Sequence, residues 1–198
     1  MKRIWMVAAA MVAAAAACSG GQDKLSVVLI DSAGTPREVL LSATEKARQA
    51  LRTAGLESEW ILCSDCALPP AVTRVLVQIV PTRHGVAPEE SGELGRAAWC
   101  PAAERCTTAW VFYGPIQEFA GDTAQPVGSI LGYAMAHEIG HLMGLGHDTS
   151  GIMKAGLNKR DPLDASRLRF PAYDAKKIRA TVAIWTAQTA ASGAAEGM

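Results

Sequence analysis

The sequence predicts a mixed α/β fold of the α+β class. Residues 25–30 form a short, mostly apolar run that is typical of a buried strand. Residues 37–53 instead repeat apolar side chains at helical spacing, and Gly55 follows as a signal that ends a helix. A second helical segment covers residues 127–143. Strand and helix patterns therefore alternate within one chain, which indicates a mixed fold.

The other segments extend this pattern in chain order. Strands are predicted over 56–63, 73–80 and 107–113, and a last helix over 173–189 with apolar side chains at near-helical intervals. The segment 81–106 between the third and fourth strands is rich in glycine, proline and charge. A loop of that length in a compact domain is usually functional or carries local structure.

Charge and length limit the class of protein. Nineteen basic residues balance nineteen acidic ones, so the chain offers no electrostatic argument for a nucleic-acid partner. Once the N-terminal leader described below is set aside, residues 18–198 remain, which is enough for one domain with its own core.

One motif points to a metal. An eleven-residue stretch that begins at His137 reads H-E-x-x-H-x-x-G-x-x-H. On a helix, His137 and His141 return to nearly the same face and can aim both imidazoles at one ion. Glu138 lies on the rim of that face, within reach of a water at the metal. Gly144 can end the helix in a left-handed turn, which would bring His147 back as a third ligand.

Three histidine ligands leave a fourth position of a tetrahedral Zn²⁺ open, which is typical of catalytic zinc sites. Three of the four histidines of the chain belong to this motif. The fourth, His84, lies in the long polar loop, where a surface position is expected. The alternative interpretation, in which the motif histidines are ordinary helix-surface residues between core positions, has to explain five matched positions at once.

The motif resembles the signature of the metzincin clan of zinc peptidases, in which a methionine-containing turn follows the long zinc motif. Here a tight turn places Met153 six residues after the third histidine. The resemblance implies three histidine ligands, a glutamate general base and a methionine as the apolar floor beneath the metal. The matching residues are His137, Glu138, His141, Gly144, His147 and Met153.

The resemblance also implies an architecture. It is a twisted, mostly parallel sheet with an antiparallel edge strand, a backing helix, a zinc-site helix and a small C-terminal subdomain ending in a helix. The upper subdomain would span about 24–147 and the lower one 148–190, with a flexible tail over 191–198. In that fold one strand borders the cleft as an edge and can hold an extended peptide. The residues assigned to it here are Thr108, Ala109, Trp110 and Val111.

The chain departs from individual families of the clan. Asp148 follows the third histidine, as in the adamalysin-like branch, but no other feature is specific to that branch. Ala155 stands where a tyrosine ligand of the astacin or serralysin kind would be expected. The resemblance therefore identifies the clan and leaves the family open.

The N-terminus is typical of an export signal. A positively charged start is followed by fourteen apolar residues over 4–17 and then by Cys18. That run is short for a membrane-spanning helix. Residues 15–18 resemble a bacterial lipobox, which predicts a signal peptide over 1–17 and a lipid on Cys18 that anchors the protein to a membrane of the bacterial cell envelope, on its periplasmic or surface side. Ordinary cleavage with release as a soluble protein is the alternative.

The cysteines agree with export. Without the lipid-bearing cysteine four remain, the count for two disulfides in an oxidising compartment. Their pairing stays open, and a zinc site of four thiolates or a redox role are weaker alternatives. The disulfide candidates are Cys63, Cys66, Cys100 and Cys106.

Taken together, the resemblance implies a zinc-dependent endopeptidase that acts on a peptide or protein substrate as a monomer, with Glu138 as its general base. A non-catalytic zinc-containing envelope lipoprotein that serves as a binding module is the main alternative. Zinc-dependent hydrolysis of a non-peptide amide is a third.

Overall fold

The computed structural model describes residues 24–63, 74–82, 93–98, 107–123, 126–157 and 169–196. Five strands and four helices lie within these ranges. In chain order they are β1 (Lys24–Asp31), α1 (Arg37–Thr53), β2 (Glu57–Leu62), β3 (Arg74–Val80), β4 (Gly95–Ala97), β5 (Thr108–Phe112), α2 (Tyr113–Thr123), α3 (Val127–Leu142) and α4 (Ala172–Glu196).

The strands form one sheet in the order β2-β1-β3-β5-β4. All neighbouring pairs are parallel except β4 and β5, which are antiparallel. This arrangement confirms the predicted mixed fold with a mostly parallel sheet and one antiparallel edge strand. Val27, Val28 and Leu29 of β1 are buried in succession, because both faces of a central parallel strand are covered.

Helix α3 packs closely against α1 through glycines. A Cβ atom at Gly132 would lie 2.6 Å from the carbonyl oxygen of Ala43, and one at Gly128 would lie 2.8 Å from Cβ of Ser42. Larger side chains at these two positions would push the helices apart. Thirteen of the sixteen residues of α3 are buried, so the helix lacks a solvent-facing polar side.

The edge of the sheet differs from the sequence prediction. Strand β5, which contains Thr108, Ala109, Trp110 and Val111, lies between β3 and β4, so its backbone is paired on both sides. The assignment of these residues to the cleft edge was therefore wrong. The edge is β4, which lies within the segment 81–106 that was predicted to be a loop.

The last helix continues beyond its predicted end. α4 was expected to stop near residue 189, with a flexible tail from 191, but its backbone is helical through Glu196. It packs on the core through Ala175, Ile178, Val182 and Trp185. Within the described ranges, no helix combines the length and the apolar character that crossing a membrane requires.

Several predicted features lie outside the described residues. They are the signal peptide over 1–17, the lipidation site Cys18, His84, and the cysteines Cys66, Cys100 and Cys106. Cys63 is described and lies buried directly after β2. Its possible partners are undescribed, so the pairing stays a prediction.

Candidate metal centre

The end of α3 creates the turn that the motif requires. Gly144 has a φ of 81°, a left-handed conformation that glycine adopts at little cost. Its N–H donates to the carbonyl of His141 at 2.9 Å, and the N–H of Leu145 donates to that of Gly140 at 3.0 Å. These two bonds form a Schellman motif, which ends the helix and reverses the chain towards His147.

This turn brings the three motif histidines together. One ring nitrogen from each of His137, His141 and His147 lies within 4.8 Å of the other two. The ring centroids are 4.7 to 5.3 Å apart. The first two rings come from successive turns of α3 and the third from the segment after the Schellman turn, so they converge from two directions.

Backbone carbonyls orient two of the rings. Nδ1 of His137 lies 2.7 Å from the carbonyl oxygen of Ile152, and Nδ1 of His141 lies 2.9 Å from that of Leu145. A carbonyl oxygen only accepts, so both Nδ1 atoms donate, and in the neutral rings both Nε2 atoms carry lone pairs. These two Nε2 atoms are 3.0 Å apart. Two facing lone pairs repel each other unless a cation lies between them.

The donor set therefore fits Zn²⁺. Three imidazole nitrogens with hydrogen-bonded Nδ1 groups are a usual protein contribution to a zinc site with an open fourth position. Burial lowers the pKa of His137 to about 4, although its hydrogen bond to Ile152 opposes the shift. Burial also lowers the pKa of His141. Both rings are thus held in the neutral form that binds metal.

Glu138 is a residue of α3, and its side chain extends towards the edge strand β4. Its side chain packs on Gly95 of β4, where a Cβ atom would come within 2.8 Å of the carboxylate. Burial raises the pKa of Glu138 to about 8, with a further contribution from the negative charge of Glu93. A backbone hydrogen bond from Ala97 and the positive charge of Arg96 lower the pKa in part. The carboxyl group is thus buried and in contact with β4.

A second turn forms the floor beneath α3. Gly151 has a φ of 69°, and the N–H of Asp148 donates to the carbonyl of Met153 at 2.7 Å. Met153 is fully buried, with its sulfur against the bare Cα of Gly140, and Phe170 packs at the same point. The methionine therefore packs against the turn of α3 between His137 and His141, and its role as a floor beneath the metal stays a prediction.

An open cleft of about 630 Å³ surrounds the site. Its lining includes β4, the three histidines, Glu138 and the segment after Met153. Two residues that line the cleft were not predicted from the sequence, Tyr133 and Lys154. Tyr133 stacks on His137 with ring centroids 5.9 Å apart, and its hydroxyl donates to the carbonyl of Lys154 at 3.3 Å. Tyr133 lies four residues before the first histidine, so helical spacing could have identified it.

Comparisons with known proteins agree with this fold. No protein-family model and no curated protein matches the sequence. The chain is similar in structure to a zinc-dependent peptidase from Methanocorpusculum labreanum (strain Z), with a TM-score of 0.56 and 18% identity over 77% of this chain and 99% of that one. It is also similar to archaemetzincin from Methanopyrus kandleri, with a TM-score of 0.57 and 13% identity over 81% of this chain and 96% of that one. At such identities the likeness shows a shared fold.

Proposed function

We propose that this protein is a zinc-dependent endopeptidase of the metzincin clan. One observation carries the proposal: the carboxyl group of Glu138 is buried and lines the same open cleft as three converging imidazoles. A purely structural zinc site has no use for such a group, because structural sites are closed by a fourth protein ligand. The two structural neighbours are a zinc-dependent peptidase and an archaemetzincin, which supports the same class.

Strand β4 supports a peptide substrate. Its ladder with β5 includes the bonds from Phe112 N–H to the carbonyl of Leu94 and from Ala98 N–H to that of Thr108. Alternate residues of an antiparallel strand direct their backbone groups to opposite sides, so Gly95 and Ala97 direct theirs into the cleft. An extended peptide can add to this side as a further strand, which holds it along the row of metal ligands. Because the N–H of Ala97 already donates to Glu138, the peptide would pair with the other backbone groups of this side.

The chemistry follows from the placement of the side chains. When bound, zinc polarises the scissile carbonyl and lowers the pKa of a water towards ~7. Glu138 takes a proton from the attacking water and delivers it to the leaving amine, which is general base and then general acid catalysis. The hydrogen bond from Ala97 holds the carboxylate in place for both transfers.

A Glu138→Gln variant tests the proposal. It keeps the shape of the side chain but removes its basicity, so zinc content should be unchanged while cleavage of an unbiased peptide mixture falls by about 10²- to 10⁴-fold. Glu118→Gln, on the exposed side of α2, is the matched control and should cleave like the parent. A zinc-loaded parent that cleaves no peptide would instead favour the alternative of a non-catalytic zinc-containing lipoprotein.

We further propose that the enzyme is exported and anchored by a lipid on Cys18. The apolar leader and the lipobox-like residues 15–18 support this proposal. Expression in a bacterial host with radiolabelled palmitate should label the parent and not a Cys18→Ala variant. Equal absence of label from both, with the protein found in the soluble fraction, would favour ordinary signal cleavage and release.

A further inference from the structure

We infer that α4 sets the zinc affinity by holding the turn between the second and third ligands. This turn, residues 143–146, is called the ligand turn below. It joins His141 to His147, and its own contacts determine where the third imidazole lies. The inference rests on the proposed zinc ion and is independent of the proposed hydrolysis.

Two side chains of α4 donate to the ligand turn. The hydroxyl of Thr181 donates to the carbonyl of Met143 at 3.1 Å, and the ammonium group of Lys177 donates to the carbonyl of Gly144. The last carbonyls of a helix have no partner within the helix and need one from elsewhere. A cation at this end also interacts favourably with the negative end of the helix dipole.

The positions of these donors are fixed by packing. Lys177 and Thr181 are four residues apart and therefore lie on one face of α4. The next residue after each, Ile178 and Val182, is fully buried in the core. α4 thus presents its two donors from a helix that is anchored in the core, and these donors connect the ligand turn to the core.

Displacement of the ligand turn would affect two of the three imidazoles. Leu145 of this turn provides the carbonyl oxygen that accepts from Nδ1 of His141 at 2.9 Å. Two residues further on, the chain reaches His147 itself. The orientation of the second ligand and the position of the third therefore both depend on contacts that α4 makes.

A third side chain of α4, that of Arg179, provides a control for this inference. The guanidinium group of Arg179 donates to the carbonyl of Ala54, directly after α1. This contact has the same chemistry as the Lys177 contact, a cation at the end of a helix, but it is made at α1 instead of the metal-binding helix. Loss of the Arg179 contact should weaken the fold without changing the metal site.

The test measures zinc affinity and stability separately in the full-length chain. Zinc affinity is measured by chelator competition, and the unfolding midpoint of the metal-free protein by urea titration. We expect Lys177→Met and Thr181→Val each to weaken zinc binding by about 3- to 10-fold, with a larger loss in the double variant. Lys177→Arg keeps a donor and should bind zinc nearly as the parent does. Arg179→Met should lower the urea midpoint and leave zinc affinity unchanged.

Two results would overturn the inference. One is parental zinc affinity in Lys177→Met and Thr181→Val. The other is an equal loss of zinc affinity in Arg179→Met, which would show that general destabilisation causes the effect. Because no step measures hydrolysis, a parent that binds zinc but cleaves nothing would contradict the proposed enzyme and leave this test intact.

Discussion

Replacing Gly140 by alanine tests how tightly the methionine floor fits beneath α3. Helix propensity alone predicts a gain of about 1 kcal/mol, because alanine in a helix is more favourable than glycine by that amount. The structure instead predicts that the substitution lowers the free energy of unfolding. A Cβ atom at this position would overlap the sulfur of Met153 and would come within 3.2 Å of both Cε of Met153 and Cε1 of Phe170.

The magnitude follows from the two opposing effects. Met153 is fully buried and Phe170 is 4% exposed, so neither side chain can move into solvent to make room. Overpacking of a closed core costs about 1–3 kcal/mol. After subtraction of the propensity gain of about 1 kcal/mol, the Gly140→Ala variant should lose about 1 kcal/mol of unfolding free energy. For a chain of this size the melting temperature should fall by about 2–4 °C.

Gly121→Ala in α2 is the matched control. A Cβ atom there meets nothing within 4 Å, so this variant should be stabilised by about 0.5–1 kcal/mol. Both variants and the parent are compared by urea unfolding of the metal-free protein. In a Met153→Ala background the cost of Gly140→Ala should largely disappear, since the overlapping atoms are gone. If Gly140→Ala proves as stabilising as Gly121→Ala, the close packing of the methionine is refuted.

The remaining predictions concern the edge strand, α4 and the metal. A Cβ atom at Gly95 would lie 2.8 Å from Cγ of Glu138 and 2.9 Å from the carbonyl oxygen of Trp110. Gly95→Ala should therefore displace the glutamate and lower kcat by on the order of 10- to 100-fold with zinc content unchanged; a parental kcat would contradict this placement. Oδ2 of Asp174 is buried and accepts no hydrogen bond from the described part of the chain, and burial, followed by the charge of Asp148, raises the pKa of Asp174. A carboxyl group whose pKa is raised by folding destabilises the folded state once the pH rises above its pKa in the unfolded chain, which is about 3.9. Asp174→Asn should therefore raise the urea midpoint at pH 7. The difference from the parent should vanish below about pH 4. Equal urea midpoints for the parent and Asp174→Asn at pH 7 would show that the buried carboxylate of Asp174 has a partner that compensates its burial. Chelation should abolish peptide cleavage, and stoichiometric zinc should restore it; cleavage that survives complete metal removal would exclude the proposed chemistry.

The parts of the fold that the sequence predicts are those with a strong local pattern. The predicted helix over 37–53 coincides with α1, because its apolar residues recur at helical spacing and its buried face matches them. β3 alternates between buried and partly buried positions, and this period of two was visible in the sequence. The position of α3 was predicted from the metal motif, because the chemistry of the motif requires a helix that ends in a glycine turn.

The parts that were missed have weak or contrary local signals. β4 is three residues long, Gly95–Ala97, and becomes a strand only by pairing with β5. α2 contains Gly114 and Gly121, and Pro115 in its first turn, all of which oppose a helix by propensity. Proline is tolerated in a first turn, where its missing N–H has no partner in any case. Because β4 was not predicted, the adjacent strand β5 was assigned to the edge of the sheet. The wrong assignment of the cleft-edge residues therefore followed from the missing strand.

The donor set of the metal centre is local in sequence, and this affects what zinc can add to stability. The three imidazoles and the two carbonyls that orient them all fall within residues 137–152. The unfolded chain keeps these histidines four and six residues apart, and closing such short loops costs little entropy. Unfolded protein therefore retains some affinity for zinc, and by linkage that affinity subtracts from the stabilisation of the folded state. The metal contributes less to the unfolding free energy than its folded-state affinity implies, and the packing of α1, α3 and α4 has to keep the metal-free protein folded.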